Sequence, residues 1–366
     1  MNKRQDRAYL EMAYSLAEKA RGWTSPNPLV GALLVKDGII IGHGYHKKPG
    51  TAHAEIIALQ MAGTAARGST LYVTLEPCIH TGRTPPCVDS LIPAGIKRAF
   101  ISAMDPNPVV HRRGAEKLRE AGISVDTGLL VEKNALLNEF YVKYITRKIP
   151  WVTIKAAVSL DGKMAVSGGH SNWITSSTAR EYVHLLRGEH DAVLVGSETV
   201  LQDNPRLTIR HPQWKGKRLV RVLLDGRLRI PASARLFETL DRGPVLIFTS
   251  TDVPRDKAAP LEALGAEVIP VPSSAKGLDL SQILQHLGTR QITSVLVEGG
   301  GRVITGLVES RLADCMYLMV APKLIGGEKA PSFLGGKGID TMDKAFVFTR
   351  IHSFQLGADT VFKGYF

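Results

Sequence analysis

Three side chains of the kinds that bind zinc lie in the N-terminal part of the chain: His53, Cys78 and Cys87. The two cysteines flank a loop that contains glycine and proline, in the segment TLEPCIHTGRTPPC at 74–87, and His53 begins a predicted helix. Three protein ligands leave one coordination position for water, which is the arrangement of a catalytic zinc site. Zinc lowers the pKa of such a water towards neutrality and makes hydroxide available. The pattern predicts a hydrolytic centre with one zinc ion per chain.

Glu55 is the candidate catalytic acid and base of this centre, because it follows His53 by two residues on the first turn of the same helix. From there its carboxylate can reach the water without binding the metal, and it can carry protons to a leaving amine. His-x-Glu followed by two Pro-Cys pairs is the pattern of zinc deaminases, although the eight residues between the cysteines are more than in the common motif. Taken singly, these residues also allow a structural histidine, two packed cysteines or a Cys78–Cys87 disulfide.

The length and composition predict a globular protein of two domains. A chain of 366 residues exceeds the size at which a single core stops growing, and 44% hydrophobic with 22% charged residues is usual for soluble proteins. No apolar run is long enough for a transmembrane helix, and the N-terminus lacks the apolar region of a secretory signal. Three cysteines are too few for a disulfide framework. We therefore expect a cytoplasmic protein without a membrane partner.

The net charge of +12 is distributed over both halves of the chain, without a dense block of lysine and arginine. This distribution argues against a nucleic-acid partner. A moderate positive field suits a small phosphorylated substrate, and an ordinary solvated basic surface explains the charge equally well.

Hydrophobic periodicity predicts strands that alternate with helices, and hence a layered α/β fold. The helix that begins at His53 is expected to be a core helix, because its large apolar side chains leave little polar face. Ile149-Pro150 ends the last helix of the first half, and the alternation then restarts, so we place domains at 1–148 and 149–366. The first half is predicted to contain further helices at 6–21, 87–95, 114–122 and 131–147 and strands at 29–35, 39–45, 69–75, 97–103 and 123–130.

The chain resembles the bifunctional riboflavin-biosynthesis family, in which a diaminohydroxyphosphoribosylaminopyrimidine deaminase is fused to a 5-amino-6-(5-phosphoribosylamino)uracil reductase. The resemblance is carried by PCIHTGRTPPC, by SPNPLVG at 25–31 and by DPNP at 105–108, and it covers essentially the whole chain. It implies a cytidine-deaminase-like three-layer domain followed by a dihydrofolate-reductase-like domain that uses NADPH. We also expect a homo-oligomer. VVHRRG at 109–114 departs from the family, which usually has Ala-Gly ahead of the last glycine, so the conformation of this loop is open.

The resemblance also implies which residues contact the ligands. In the first domain these are Asn27, His46, His80 and Arg83, with Arg83 facing the 5′-phosphate, and each is also compatible with a loop residue that makes local hydrogen bonds.

In the second domain, SLDGKMA at 159–165, SNWITS at 171–176 and GSETVLQDNPRLTIR at 196–210 match family motifs. The implied substrate contacts there are Ser171, Arg187, Leu207, Arg210 and Glu298, and the implied NADPH contacts are Ala157, Trp173, Thr199, Asp203, Gly300, Gly301, Arg302, Val303, Ile304, Thr305 and Gly306.

The residues of the second domain carry a weaker signal of their own. SVLVEGGGRVITGLV is predicted to be a strand, a triple glycine and a helix, and such glycines let a backbone approach a phosphate at a helix N-terminus; a plain tight turn is an equal alternative. Gly226 stands where relatives often have serine, so a side-chain contact to the cofactor is missing there. Lys155 lies in an apolar strand, where it could polarise the opened sugar or extend to the surface.

The sequence therefore predicts an enzyme with two steps. The first is zinc-dependent hydrolytic deamination of 2,5-diamino-6-ribosylamino-4-pyrimidinone 5′-phosphate, and the second is NADPH-dependent reduction of the ribosyl side chain to ribityl. One alternative is a nucleic-acid or free-nucleotide zinc deaminase with an accessory reductase-like domain. The other is a non-catalytic zinc-stabilised binding module, which would have no use for Glu55 beside the metal.

Overall fold

The computed structural model describes residues 3–80, 85–169, 174–275 and 277–366. The chain divides into two compact units between Lys148 and Ile149. Within the described ranges, no helix combines the length and apolar character that a membrane crossing requires.

The helices and strands of the first unit are α1 (Lys3–Glu18), β1 (Gly31–Lys36), β2 (Ile39–Tyr45), α2 (Ala54–Ala62), β3 (Thr70–Leu75), α3 (Cys87–Leu91), β4 (Arg98–Ala103), α4 (Arg113–Glu120), β5 (Ser124–Thr127), α5 (Val131–Leu137) and α6 (Glu139–Arg147). The strands form one sheet in the order β2-β1-β3-β4-β5. Strand β1 is antiparallel to β2 and β3, whereas β3, β4 and β5 run parallel. The β1–β2 hairpin turns at Asp37 and Gly38, whose φ angles of 50° and 81° are those that Asp-Gly turns adopt.

Helices cover both faces of this sheet. Successive residues of a strand point to opposite faces, so Leu34 and Val73 pack against α2, α3 and α4, whereas Leu33 and Tyr72 pack against α1. The predicted three-layer α/β arrangement of the first domain is confirmed.

Helix α2 packs closely on the sheet, mainly through small residues. Its buried positions are Ala54, Glu55 and Ala58. A Cβ atom at Gly42 of β2 would lie only 2.2 Å from the Ala58 carbonyl oxygen, while Met61 is 60% exposed. The expected core helix is present, with Ile57 in contact with β2 and Leu59 partly buried on the core, but the expectation is wrong for Met61. This same approach buries Glu55.

The helix expected at 131–147 is in fact two helices, α5 and α6, which meet at Asn138. Asn138 has φ −108° and ψ 22°, outside the helical range. Its side-chain amide bonds the backbone of Leu29 twice: the Leu29 N–H donates to Oδ1 (2.7 Å), and Nδ2 donates to the Leu29 carbonyl (3.1 Å). The prediction of one continuous helix is wrong, because periodicity does not register a side chain that leaves the helix to bond a distant loop.

The helices and strands of the second unit are β6 (Trp151–Ser159), α7 (Ser177–Glu189), β7 (Ala192–Gly196), α8 (Ser197–Asp203), β8 (Val220–Leu224), β9 (Val245–Ser250), α9 (Ala259–Ala263), β10 (Glu267–Val271), β11 (Ser273–Ser274), β12 (Gly277–Leu278), α10 (Leu280–Thr289), β13 (Ser294–Glu298), α11 (Gly301–Glu309), β14 (Cys315–Ala321), β15 (Arg350–Leu356) and β16 (Asp359–Tyr365). The main sheet has the order β10-β9-β8-β7-β13-β6-β14-β16-β15, and β11 and β12 form a separate hairpin. Neighbours from β10 to β14 are parallel, whereas β16 is antiparallel to β14 and to β15.

The direction of the chain through this sheet reverses between β7 and β13. Connections after β7 lead outwards to β10, and those after β13 lead the other way to β14. In open parallel sheets, ligands bind outside the carboxyl ends of the strands at such a reversal. Leu287 and Leu307 of α10 and α11 pack on one face of the sheet and Leu236 packs on the other, so the carboxyl edge is left for a site.

Candidate active sites

The predicted zinc ligands of the first unit lie together. The His53 Nδ1 atom is 3.0 Å from Cys87 Sγ and 3.5 Å from Cys78 Sγ, and the two sulfur atoms are 3.5 Å apart. Zinc bonds of about 2.0–2.3 Å in a tetrahedron place neighbouring ligand atoms about 3.5–3.8 Å apart. The donor atoms therefore fit zinc. Across the ranges that the structure describes, this is the one group of histidine, cysteine and acidic residues with such spacing.

Local structure explains how distant parts of the chain supply these ligands. His53 is the N-cap of α2 and has extended backbone angles, so its ring leaves the helix at its first turn. Cys78 follows the end of β3, and Cys87 opens α3. The backbone N–H of Cys87 donates to Cys78 Sγ (3.3 Å). A helix N-terminus of this kind favours a negative sulfur.

The cluster is electrostatically suited to hold a cation. The hydrogen bond from Cys87 lowers the pKa of Cys78 to about 4, against the opposing effect of burial, and His53 adds to the lowering. The same contact raises the pKa of Cys87, which keeps the shared proton. The hydrogen bond to Cys78 raises the pKa of His53. A thiolate at Cys78 is the form that binds metals.

Glu55 lies beside this cluster and is only 3% exposed. Burial raises its pKa to about 7, and the charge of Cys78 adds to the effect. A carboxyl group with a pKa near neutrality can both accept and donate a proton at the working pH. Glu55 therefore has the position and the acidity expected of a proton carrier.

Two of the predicted substrate contacts, Asn27 and His46, also lie at the cluster. The rings of His46 and His53 are 5.2 Å apart and nearly perpendicular. Burial lowers the pKa of His46, which keeps the ring neutral, with Nδ1 donating to the Ala52 carbonyl (3.3 Å) and Nε2 accepting from Asn27 Nδ2 (3.1 Å). The carbonyl oxygen of Asn27 is then the part of that amide suited to a ligand. His80, in the segment between Cys78 and Cys87, is exposed, and Arg83 lies outside the described residues.

Glu76 and Asp105 form a buried acidic pair close to the predicted zinc ligands, and sequence reasoning missed this pair. Glu76 accepts the backbone N–H groups of Asp105 (3.2 Å), Arg112 (2.9 Å) and Ala115 (3.0 Å). Burial raises the pKa of Asp105 to about 6, and the Tyr141 hydroxyl donates to it (2.8 Å). An acidic residue at the end of an otherwise apolar strand was the available signal.

In the loop VVHRRG at 109–114, which departs from the family pattern, Arg112 has a φ angle of 64°, in the left-handed region that favours glycine.

In the second unit, a cavity of about 700 Å³ lies at the carboxyl edge of the sheet, where β7 and β13 meet. Gly299 and Gly300 have φ angles of 90° and 81°, and Gly301 begins α11. A Cβ atom at Gly301 would lie 3.0 Å from the Ser332 carbonyl oxygen, so larger residues would fill this turn. Predicted residues that line the cavity are Lys155, Ala157, Arg187, Thr199, Asp203, Leu207, Glu298, Gly300, Gly301 and Arg302.

Three charged residues meet inside this cavity. Arg187 Nε and Nη2 donate to the two oxygens of the Glu298 carboxylate (2.5 and 2.8 Å), and Nη1 donates to the Thr208 carbonyl (2.8 Å). Lys155 of β6 is paired in register with Glu298 of β13. Burial lowers the pKa of Lys155, and the charge of Glu298 opposes this. Lys155 therefore faces the cavity, beside the Arg187–Glu298 ion pair.

A second cavity of about 1040 Å³ lies at the ends of β8, β9 and β10, and Gly226, Arg302, Val303 and Gly306 line it. Sequence reasoning missed its basic residues Arg227, Arg229 and Lys257, and likewise Met164, Arg180, Gln202 and Ser332 of the first cavity. Arg227 and Arg229 had a signal in the sequence, because they closely follow the end of β8 at the carboxyl edge.

Three predicted contacts of the second unit that the structure describes do not line either cavity. Ile304 is buried in the core, and Arg210 bonds His184 through its backbone N–H (3.2 Å) and Nε (3.4 Å). The Thr305 hydroxyl donates to the Gly301 carbonyl (2.7 Å) and accepts from the Gly335 N–H (2.8 Å). Ser171 and Trp173 lie outside the described residues.

Comparison with known proteins identifies both units. The model of the cytidine and deoxycytidylate deaminase zinc-binding region matches residues 3–103, and that of the RibD C-terminal domain matches residues 150–362. The riboflavin biosynthesis protein RibD of Aquifex aeolicus (strain VF5) is 43% identical over 362 residues, which cover 98% of this chain and 99% of that protein.

Two solved structures are similar to this chain over nearly its whole length. RibD from Acinetobacter baumannii (form 1) is 34% identical, with a TM-score of 0.88 and 99% coverage of both chains. The diaminohydroxyphosphoribosylaminopyrimidine deaminase/5-amino-6-(5-phosphoribosylamino)uracil reductase from Thermotoga maritima is 36% identical, with a TM-score of 0.86 and 99% coverage of both chains. The predicted fold class is confirmed, and the alternative of a nucleic-acid or free-nucleotide deaminase is not supported. The chain belongs to the RibD family of riboflavin biosynthesis proteins and is a bifunctional enzyme with a deaminase unit followed by a reductase unit.

Proposed function

We propose that the protein acts on 2,5-diamino-6-ribosylamino-4-pyrimidinone 5′-phosphate, first at the His53–Cys78–Cys87 cluster and then in the cavity of the second unit. The first step replaces the 2-amino group by oxygen and releases ammonia. The second adds a hydride from NADPH to C1 of the opened ribosyl chain, and a proton to the atom that was doubly bonded to C1. The observation that carries the proposal is the buried Glu55 beside three zinc-spaced ligands in a RibD chain.

His53, Cys78 and Cys87 would hold one zinc ion per chain. When bound, this ion lowers the pKa of a water at its fourth position and supplies hydroxide near neutral pH. The ligand spacing and the thiolate character of Cys78 support this assignment.

Glu55 moves the protons of the deamination. It accepts a proton from the attacking water and delivers it to the departing amine, for which a carboxyl pKa of about 7 is suitable. The close packing of α2 on β2 supports this role, because it keeps bulk water away from the carboxylate and holds it on the first turn of the helix beside His53.

Asn27 and His46 orient the pyrimidine. The Asn27 amide is held by the neutral His46 ring (3.1 Å), so its carbonyl oxygen is directed by a fixed partner and can accept a hydrogen bond from the substrate. His80 and Arg83, on the loop between the two cysteines, are assigned to the substrate and its 5′-phosphate by the family pattern.

NADPH would lie along the glycine turn at 299–301, with its phosphates at the N-terminus of α11. The free N–H groups of a helix N-terminus suit phosphate oxygens, and the glycines leave room for close approach. The adenosine part would extend into the second cavity, where Arg227, Arg229 and Lys257 supply positive charge. Thr199 and Asp203 of α8 border the cavity opposite the glycine turn.

Lys155 would hydrogen-bond the opened ribosyl chain at the atom that receives the proton. Its ammonium group faces the cavity beside Glu298, and Arg187 holds that carboxylate in place from the other side. Leu207 adds an apolar wall. The protein would be cytoplasmic, in keeping with three cysteines that form no disulfide with one another, and it would form a homo-oligomer, which analytical ultracentrifugation would test.

The substitution Glu55→Gln tests the deaminase assignment. An amide cannot carry the proton, so ammonia release should fall by on the order of 10²–10⁴-fold, while elemental analysis should still find one zinc per chain. Reduction of supplied deaminated substrate should be unchanged. The exposed Glu116 provides a matched Glu→Gln control. Near-normal ammonia release by the zinc-loaded Glu55→Gln protein would show that another group carries the proton.

The substitution Gly300→Val tests the reductase assignment independently. Gly300 has φ 81° and is the N-cap of α11. A branched side chain there would distort the turn and occupy the space at the N-terminus of the helix, where the phosphates would bind. NADPH binding, followed by fluorescence titration, should be lost while ammonia release persists. Unchanged NADPH affinity would contradict the placement of the cofactor at this turn.

A further inference from the structure

The segment that carries Asn27 has its backbone bonded at Leu29 by one side chain, Asn138, from the junction of α5 and α6. Both polar atoms of the Asn138 amide are used on Leu29, as an acceptor for its N–H (2.7 Å) and a donor to its carbonyl (3.1 Å). Asn138 is only 3% exposed, so water does not take its place when the amide is removed. The side-chain amide of asparagine offers a donor and an acceptor in one plane, which matches the carbonyl and N–H of Leu29.

A short series of contacts leads from Leu29 to the zinc ligands. Asn27 lies two residues before Leu29, and its Nδ2 is 3.1 Å from His46 Nε2. The backbone N–H of His46 donates to the Val30 carbonyl (3.0 Å), and the His46 ring lies 5.2 Å from that of His53. Any shift of Leu29 therefore moves the Asn27 amide relative to the metal cluster.

We propose that Asn138 is a positioning residue of the deaminase site: it fixes Leu29, and through Leu29 it sets where Asn27 meets the pyrimidine. This inference rests on the proposed role of Asn27 in binding substrate. The chain interrupts its helix at Asn138 to make the contact. A buried, fully bonded amide at a residue that departs from helical backbone angles is the kind of local exception that functional sites carry.

Asn134 is a matched control within the same helical region. It is equally buried, at 3% exposed, and its Nδ2 donates to the Thr74 carbonyl (2.7 Å), but it does not bond Leu29. Asn138→Leu and Asn134→Leu each remove a buried amide of similar volume. Both should lower the melting temperature, whereas only Asn138→Leu should change how the deaminase binds its substrate.

The experiment compares kcat and KM for ammonia release in the full-length, zinc-loaded variants. Asn138→Leu should raise KM on the order of tenfold, the effect of losing about one hydrogen bond in the substrate complex, with kcat much less affected. Asn134→Leu should leave KM near the wild-type value. Zinc content and a cooperative melting transition report whether the first unit of each variant is folded, and reduction of supplied deaminated substrate reports the same for the second unit. If Asn138→Leu does not fold, Asn138→Asp, which keeps the acceptor for the Leu29 N–H, replaces it and should show a smaller rise in KM.

A double substitution separates this inference from the proposed function. Asn27→Ala should itself raise KM, and adding Asn138→Leu to it should have little further effect, since Asn138 acts through Asn27. If Asn27→Ala leaves KM unchanged, the substrate role of Asn27 is wrong and the inference falls with it. If Asn27→Ala raises KM but Asn138→Leu changes it no more than Asn134→Leu, the role of Asn27 stands and the positioning role of Asn138 is wrong.

Discussion

Replacing Glu76 by glutamine should destabilise the first unit, because the Glu76 carboxylate organises the whole 105–115 segment. The side chain is 4% exposed. Its Oε2 accepts the N–H groups of Asp105 and Arg112, and its Oε1 accepts that of Ala115, all within 3.2 Å. The last two donors belong to the N-terminal turn of α4, so Glu76, which directly follows β3, caps a helix that has no capping side chain of its own.

The magnitude follows from what an amide can do in the same place. In its better orientation, the glutamine side chain places its oxygen where it still accepts the Asp105 and Arg112 N–H groups. Its NH₂ group then faces the Ala115 N–H, and two donors cannot form a hydrogen bond. One hydrogen bond to a charged group is lost, at about 1.5–3 kcal/mol, and the two that remain become neutral and weaken by about half. We expect a total of about 3 kcal/mol, which for a unit of this size corresponds to a fall in melting temperature on the order of 10 °C.

Differential scanning calorimetry of the full-length protein at neutral pH measures this effect. The transition of the first unit should move while that of the second unit stays in place, because Glu76 bonds only residues of its own unit in the described structure. Glu116→Gln, on the exposed face of α4, should melt like the wild type. If Glu76→Gln also melts like the wild type, the 105–115 segment does not depend on this carboxylate and the reasoning is wrong.

Three further predictions concern single side chains. Arg112→Gly should stabilise the first unit by up to about 1 kcal/mol in urea unfolding, since φ 64° suits glycine; a lower stability would contradict this. Thr305→Val should weaken NADPH binding on the order of tenfold in fluorescence titration, because the Gly335 N–H loses its acceptor, whereas Thr305→Ser should bind normally; equal affinities for the two variants would refute the argument. Burial lowers the pKa of His190 from 6.5 to about 4. The unfolded chain takes up the proton first, so the second unit should keep full stability above pH 6.5 and lose about 3 kcal/mol as the pH falls to 4. His190→Gln should flatten this part of the urea-derived stability profile, and an unchanged slope would show that other groups cause it.

The residues of the first site could be predicted because their signal is local. His53 and Glu55 share one helical turn, and Cys78 and Cys87 share one loop, so spacing alone constrains their chemistry. The bond between Asn27 and His46 could not be predicted in this way, because it joins two loops that meet only after β1, β2 and the Asn138–Leu29 contact have formed. Glu76 was missed for the same reason: its partners follow it by 29 to 39 residues.

Two errors in the predicted fold have one physical origin, which is backbone geometry that hydrophobic periodicity does not report. The pattern of α2 indicated that its large apolar residues are all buried, but the close approach at Gly42 buries Ala58 and leaves Met61 exposed. The pattern of 131–147 indicated one helix, but Asn138 bonds Leu29 and ends it. In the second unit, every residue from Gly300 to Gly306 was expected to contact NADPH. The helical periodicity of α11 instead turns Ile304 and Thr305 away from the cavities, which Arg302, Val303 and Gly306 line.

The mass of the product formed from 2,5-diamino-6-ribosylamino-4-pyrimidinone 5′-phosphate is the most direct test of the two-site account. Purified, zinc-loaded protein is incubated with this substrate in the presence and absence of NADPH, and the products are separated and weighed by mass spectrometry. Without NADPH, the account predicts a product in which oxygen has replaced the amino group and nothing else has changed. With NADPH, it predicts a product that has also gained one hydride and one proton. Unchanged substrate, or a reduced product that retains its 2-amino group as the main species, would contradict the account.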